Sequence, residues 1–154
     1  MGMRGARRAA RVLVVLAGLA LAVRRVAADA PQGRFTVQND GTVLDTRTGL
    51  VWQQAVPSEP FTWSEAKSHC AGTPTGLPPG HWRLPSIKEI QTIVDDSRPS
   101  PAIDPKAFVH ATADNFWSSS PEAGSTSSAW RINFHGGSTQ LDPVETTNLA
   151  RCVR

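Results

Sequence analysis

GHWRLPSIKEIQTIVDD, residues 80–96, is the stretch whose reading decides the fold. Pro85 holds Leu84 out of the α region, because its ring clashes with a helical residue before it. Ser86 and Glu89 then stand at capping-box spacing, in which each side chain satisfies the other's orphan N–H. Ile87, Ile90 and Val94 share one stripe with Ile93 beside it, while Lys88, Gln91 and Asp95 face water. The pattern predicts an amphipathic helix of about three turns over 86–95. An extended WRLP segment puts Trp82 and Leu84 against the buried side of that helix and Arg83 on the opposite side. The stretch reads as a structural joint, so function is to be sought elsewhere in the chain.

Upstream of the joint, Thr62 and Glu65 form a second capping box, and Trp63, Ala66, Lys67 and Cys70 share one helical face. Gly72 stops that helix, and the proline- and glycine-rich residues 72–81 form a loop. Before it, Asp40-Gly41 and Thr48-Gly49 punctuate three short strands near 34–38, 42–45 and 50–53. Downstream, residues 97–114 form a Pro-rich connection with Phe108 as its one apolar anchor. Residues 118–128 form a polar Ser/Gly loop. In residues 129–134, Trp130, Ile132 and Phe134 alternate with Arg131 and Asn133, as in a half-buried strand. His135-Gly136-Gly137 turns the chain, Ser138 to Leu141 returns, and Leu149 to Val153 is the last strand. Two helices on a small, mostly antiparallel sheet with long loops make the fold class α+β.

The first 28 residues differ from the rest. They hold six arginines and no acid, and Val12 to Val23 is an apolar run of twelve. A membrane span needs about 20 such residues. The basic start, short apolar centre and small-residue exit predict a secretory signal peptide cut after Ala28 or Ala30. Arg24 and Arg25 leave an uncleaved anchor as the alternative, the one route to a membrane. The domain then runs over 29–154, with 10 basic and 13 acidic residues and a net charge of −3. The basic whole-chain balance belongs to the leader, so nucleic acid is not an expected partner. The expected location is secreted or periplasmic. In that oxidising setting Cys70 and Cys152 read as a disulfide, and closing a loop of about 80 residues contributes roughly 4–5 kcal/mol.

No pattern of catalysis stands out. The four histidines have no ligand-pair spacing, so zinc is not expected, and no cofactor motif is present. Asp95, Asp96, Asp104, Asp114, Asn115 and Glu122 are loop oxygens without EF-hand spacing and read as solvated. Ser118, Ser119 and Ser120 lack a nucleophile-elbow pattern. Trp52, Trp63, Trp82 and Trp117 read as core, and Trp130 joins them by its alternation. Arg131, Asn133 and His135 present hydrogen-bonding groups on the other strand face; the alternative is an ordinary solvated face.

The ordered set DGTVLDTRTGLVWQ (40–53), FTWSEAKSHC (61–70), HWRLPSIKEIQTIVD (81–95), FWSSS (116–120), SAWRINFHGG (128–137) and RCVR (151–154) resembles the C-terminal domain family of the Legionella collagen-like adhesin. The resemblance covers about Gly41 to Arg154 and implies a C-type-lectin-like fold. In such folds a cysteine after the first helix bonds one in the last strand, and Cys70 and Cys152 match those places. The Glu-Pro-Asn or Gln-Pro-Asp loop and the Trp-Asn-Asp strand of calcium-dependent lectins are absent here, as is their inner disulfide. The Legionella domain is linked to sulfated polysaccharide, whereas the net charge here is acidic. The expectation is an exported, non-catalytic domain that recognises a polysaccharide or a cell-surface protein through loops 97–114 and 118–128. Asn115, Glu122, Arg131, Asn133 and His135 are the candidate contacts. Two alternatives stand beside it: a structural or protein-binding envelope protein, and a relative of the lectin-like formylglycine-generating enzymes, whose exposed cysteine site this chain lacks.

Overall fold

The computed structural model describes residues 33–154. The expected signal peptide and its cleavage sites lie outside the described residues. Strands β1 (Phe35–Val37), β2 (Thr42–Asp45) and β3 (Val51–Gln53) form one antiparallel sheet. Gly41 has a φ of 77°, the left-handed conformation its turn requires. Helices α1 (Trp63–Ala71) and α2 (Ile87–Gln91) follow. Strands β4 (Asn115–Pro121), β5 (Ser128–Asn133) and β6 (Ser138–Pro143) then make a second antiparallel sheet. The domain is a small α+β body.

There are two sheets where one was expected, because the C-terminal segment shares its hydrogen bonds among three neighbours. Leu149 pairs with Phe116 of β4, whereas Val153 pairs with Trp52 of β3 and with Arg83 of the WRLP segment. Arg83 and Val153 exchange two backbone bonds of 2.9 Å, as do Val51 and Arg154. Residues 149–153 therefore form a crossing strap rather than a regular strand. Asn148 extends it by exchanging backbone bonds of 2.8 and 2.9 Å with Phe61.

Both capping residues behave as their spacing requires. Glu65 accepts from the Thr62 N–H at 2.9 Å, and Glu89 accepts from the Ser86 N–H at 2.8 Å. Helix α2 is shorter than the periodicity predicts. After Gln91 the bonds tighten to i→i+3, with Ile93 N–H on the Ile90 carbonyl at 3.3 Å and Val94 N–H on Gln91 at 3.2 Å. The β-branched run Thr92-Ile93-Val94 favours helix weakly. The Asp95 N–H leaves the helix for the Ala102 carbonyl, 2.9 Å away. Asp95 does not face water freely either: its carboxylate accepts from Ser97 and Arg98.

The core divides in two. Ile90 and Ile93 pack with Val43, Trp52, Phe108, Phe116 and Phe134 between the sheets. Trp82 and Leu84 are buried, but in the other cluster, around Ala66, Trp117 and the two cysteines. The expectation that they wedge against α2 is corrected: pairing of Arg83 with the strap turns its neighbours toward α1. Residues 97–114 are also more than a loop around Phe108, since Ala102, Ile103 and Ala107 are buried with it. The intervening prolines hide that apolar set from a periodicity reading.

Strand β4 runs from Asn115 into the expected Ser/Gly loop and claims its first four positions, Ser118 to Pro121. Between the pairs Trp117–Arg131 and Pro121–Ala129, β4 advances four residues and β5 two, which makes a bulge. The bulge docks both helices. The Ser118 carbonyl accepts from Trp63 Nε1 at 2.7 Å, and Ser120 Oγ accepts from the Ile87 N–H at 3.0 Å. It also shifts the β5 alternation, so Ala129 is buried and Trp130 is only half-buried. Trp130 is therefore a rim residue, not a member of the core. At the β5–β6 turn, Gly137 has a φ of 75°, and a Cβ there would meet Val94 Cγ1 at 2.5 Å.

Cys70 and Cys152 are bonded, with Cα atoms 5.3 Å apart and both side chains fully buried. The crosslink spans 82 positions. The double variant Cys70→Ala/Cys152→Ala is expected to lose about 4 kcal/mol of unfolding free energy in chemical denaturation, with no change in secondary-structure content where it stays folded. Glu89 joins the WRLP segment to α2, accepting from Arg83 Nη1 and Nη2 at 2.8 and 2.6 Å. The Arg83 guanidinium holds the Glu89 carboxyl down to about 2. A lowered carboxylate pKa stabilises the fold fully above the ordinary value of 4.5, and the contribution is lost as pH falls toward about 2. Glu89→Gln is expected to cost about 1 kcal/mol at pH 7 and to flatten the acid limb of stability between those two values, read by thermal unfolding against pH.

Candidate functional site

A cleft of about 400 Å³ opens where the chain around residues 56–60, residues 110–115 and residues 147–149 meet. Each wall has a structural cause. The Phe61–Asn148 exchange holds the loop before α1 against the strap, and the Leu149 N–H on the Asn115 carbonyl at 2.9 Å ties the strap to the start of β4. Val56, Pro57, Pro60 and Leu149 supply apolar surface; Ser58, Thr112 and Thr147 supply hydroxyls. His110 lines the same cleft with a φ of 55°, a left-handed backbone rare for a residue with a side chain. Among the described residues Asp114 is the one carboxylate in the lining, and no lysine or arginine lines it.

Behind the cleft lies a polar network centred on Arg131, whose side chain is 11% exposed. Its Nε donates to Asp142 Oδ2 at 2.8 Å, Nη1 to Asn115 Oδ1 at 2.8 Å and Nη2 to Gln140 Oε1 at 2.6 Å. Asn133 Nδ2 donates to the same Asn115 oxygen at 2.6 Å, and Asn133 Oδ1 accepts from the His135 N–H at 2.7 Å. Asn148 Nδ2 donates to Asp142 Oδ2 at 3.1 Å. The antiparallel register explains this convergence: Asn115 lies opposite Asn133, and Arg131 opposite Gln140.

Of the five candidate contacts, the structure brings Asn115, Arg131 and Asn133 together. Arg131 and Asn133 are joined to neighbouring strands, so this strand face is a satisfied internal network rather than an open or simply solvated one. His135 follows on the turn, with its ring Nδ1 3.2 Å from Ser100 Oγ. Glu122 stands beyond the opposite end of β4, seven residues from Asn115, about 20 Å along a strand. Loop 97–114 contributes only its last part to the cleft, and loop 118–128 contributes no lining residue. Sequence reading missed Asn148 and the hydroxyls around it. Nothing periodic marks residues 146–148; only the crossing strap carries them to the cleft.

A nearly buried cation that bridges three strands, behind a cleft of apolar side chains, hydroxyls and amides, marks a small disulfide-bonded α+β domain with a pocket of mixed lining. The family model described as the Lcl C-terminal domain matches residues 41–154, most of the chain, and the chain belongs to that family. No curated protein matches it.

Arg131 is expected to be structural. Arg131→Leu leaves Asp142 without its ion pair and should cost about 2 kcal/mol in thermal unfolding. Arg131→Lys should recover only part of that loss, because a point charge cannot bridge three fixed acceptors.

Proposed function

We propose that this chain is an exported, non-catalytic recognition domain of C-type-lectin-like architecture that binds carbohydrate in the cleft between residues 56–60, 110–115 and 147–149. The observation that carries the reading is the lining itself. Proline and valine surfaces suit the C–H face of a sugar ring, and hydroxyls and amides around them suit its hydroxyl groups. Membership of an adhesin domain family supports a binding role over a catalytic one. Contacts of this kind are weak singly, so avidity comes from several copies or several sugar units.

A glycan array probed with the purified domain, with and without EDTA, tests the reading. Saturable binding to a subset of glycans is expected. It should survive EDTA, because among the described residues no three His, Cys, Asp or Glu side chains are gathered to hold a metal ion. Thr112→Trp, at an exposed cleft position, should leave stability within about 0.5 kcal/mol and remove the binding. Silence across all glycans would overturn the reading in favour of a structural or protein-binding role.

A further inference from the structure

The Arg131 network does more than hold strands together: it orients two amides at the cleft. Asn115 accepts from Arg131 Nη1 and from Asn133 Nδ2, so the group directed at them must be its oxygen. Asn148 faces the carboxylate of Asp142, which only accepts, so the group directed there must be its NH2. Neither amide can flip without setting donor against donor or acceptor against acceptor. The other halves, Asn115 Nδ2 and Asn148 Oδ1, have no hydrogen-bond partner within the described protein. Both residues line the cleft, and Asn148 is 5% exposed. Each therefore keeps its hydrogen-bonding capacity for whatever enters the cleft.

We infer that Asn115 and Asn148 form a fixed donor–acceptor pair that recognises the acetamido group of an uncharged N-acetylated amino sugar. The inference rests on the carbohydrate reading above and names its ligand. An acetamido group offers one carbonyl acceptor and one N–H donor, the complement of Asn115 Nδ2 and Asn148 Oδ1. Its methyl needs apolar surface, which Val56, Pro57, Pro60 and Leu149 provide. Charge selects in the same direction. Asp114 is exposed, its carboxylate has no hydrogen-bond or ion-pair partner within the described protein, and among the described residues no arginine or lysine lines the cleft to meet a sulfate or carboxylate. Arg131, the nearest cation in the network, has Nε, Nη1 and Nη2 each engaged.

The test is calorimetric titration with N-acetylglucosamine oligomers, their fully de-N-acetylated counterparts, glucose oligomers of equal length and a sulfated oligosaccharide. The N-acetylated series should bind at least about tenfold more tightly than each of the others, as one well-placed hydrogen bond with a methyl contact allows. Asn115→Asp keeps the oxygen that Arg131 and Asn133 need and replaces the outward donor with a carboxylate oxygen that only accepts. It should hold its melting temperature and lose about tenfold or more in affinity for the N-acetylated series. Asp114→Asn should narrow the discrimination against the sulfated ligand. Equal affinity for acetylated and unacetylated oligomers, or an Asn115→Asp variant that binds as well as the parent, would overturn the acetamido assignment and leave the carbohydrate reading standing. No binding to any of the four would overturn both.

Discussion

The structure depends on one strap. Residues 148–154 cross the domain between β3, the WRLP segment and β4, and every neighbour hydrogen-bonds to them. Cys152 fixes the strap to α1, and the buried Arg151 fixes it to the end of β3. Arg151 Nη1 donates to the carbonyls of Gln53 and Gln54 at 2.6 and 2.8 Å, and its guanidinium lies 4.8 Å from the Phe108 ring centre. Burial pushes its pKa down to about 9, so it remains a cation at neutral pH. A buried charge without a carboxylate is held here by carbonyl dipoles and an aromatic face. The disulfide limits the freedom of an unfolded chain whose last residues must return to this place.

The cleft is a consequence of that crossing. Asn148 and Leu149 reach the start of β4 only because the strap passes there, and the Phe61 exchange sets the opposite wall. Arg131 then converts neighbouring polar side chains into a network with defined polarity. Such networks are stable when each member is satisfied inside the protein, and they leave only chosen atoms facing outward. The result is a pocket whose hydrogen-bonding pattern is set by second-rank contacts rather than by loop composition.

Local signals were legible. The two Ser/Thr–Glu boxes, the Asp40-Gly41 turn and the strands of the first sheet stand where their residues place them. Long-range consequences were not. The Arg131–Asn133 face was visible as an alternation, but its partners Asp142, Gln140 and Asn148 come from elsewhere in the chain. The bulge at Ser118–Ser120 was hidden because serine is equally at home in a loop and in an irregular strand. The burial of Ala102, Ile103 and Ala107 was hidden because prolines break their spacing.

By itself the sequence determined the α+β class, the family, the capped helix starts and the two cysteines available to pair. Each rests on residues close in the chain, on recurring motifs or on simple counts. Tertiary structure alone decided that the sheet would be two, that Trp82 would pack on α1 rather than α2, and that Asn115 and Asn148 would meet at one cleft. These outcomes depend on where a distant segment hydrogen-bonds. A backbone N–H that must find a carbonyl in the interior does so by geometry that no local pattern records.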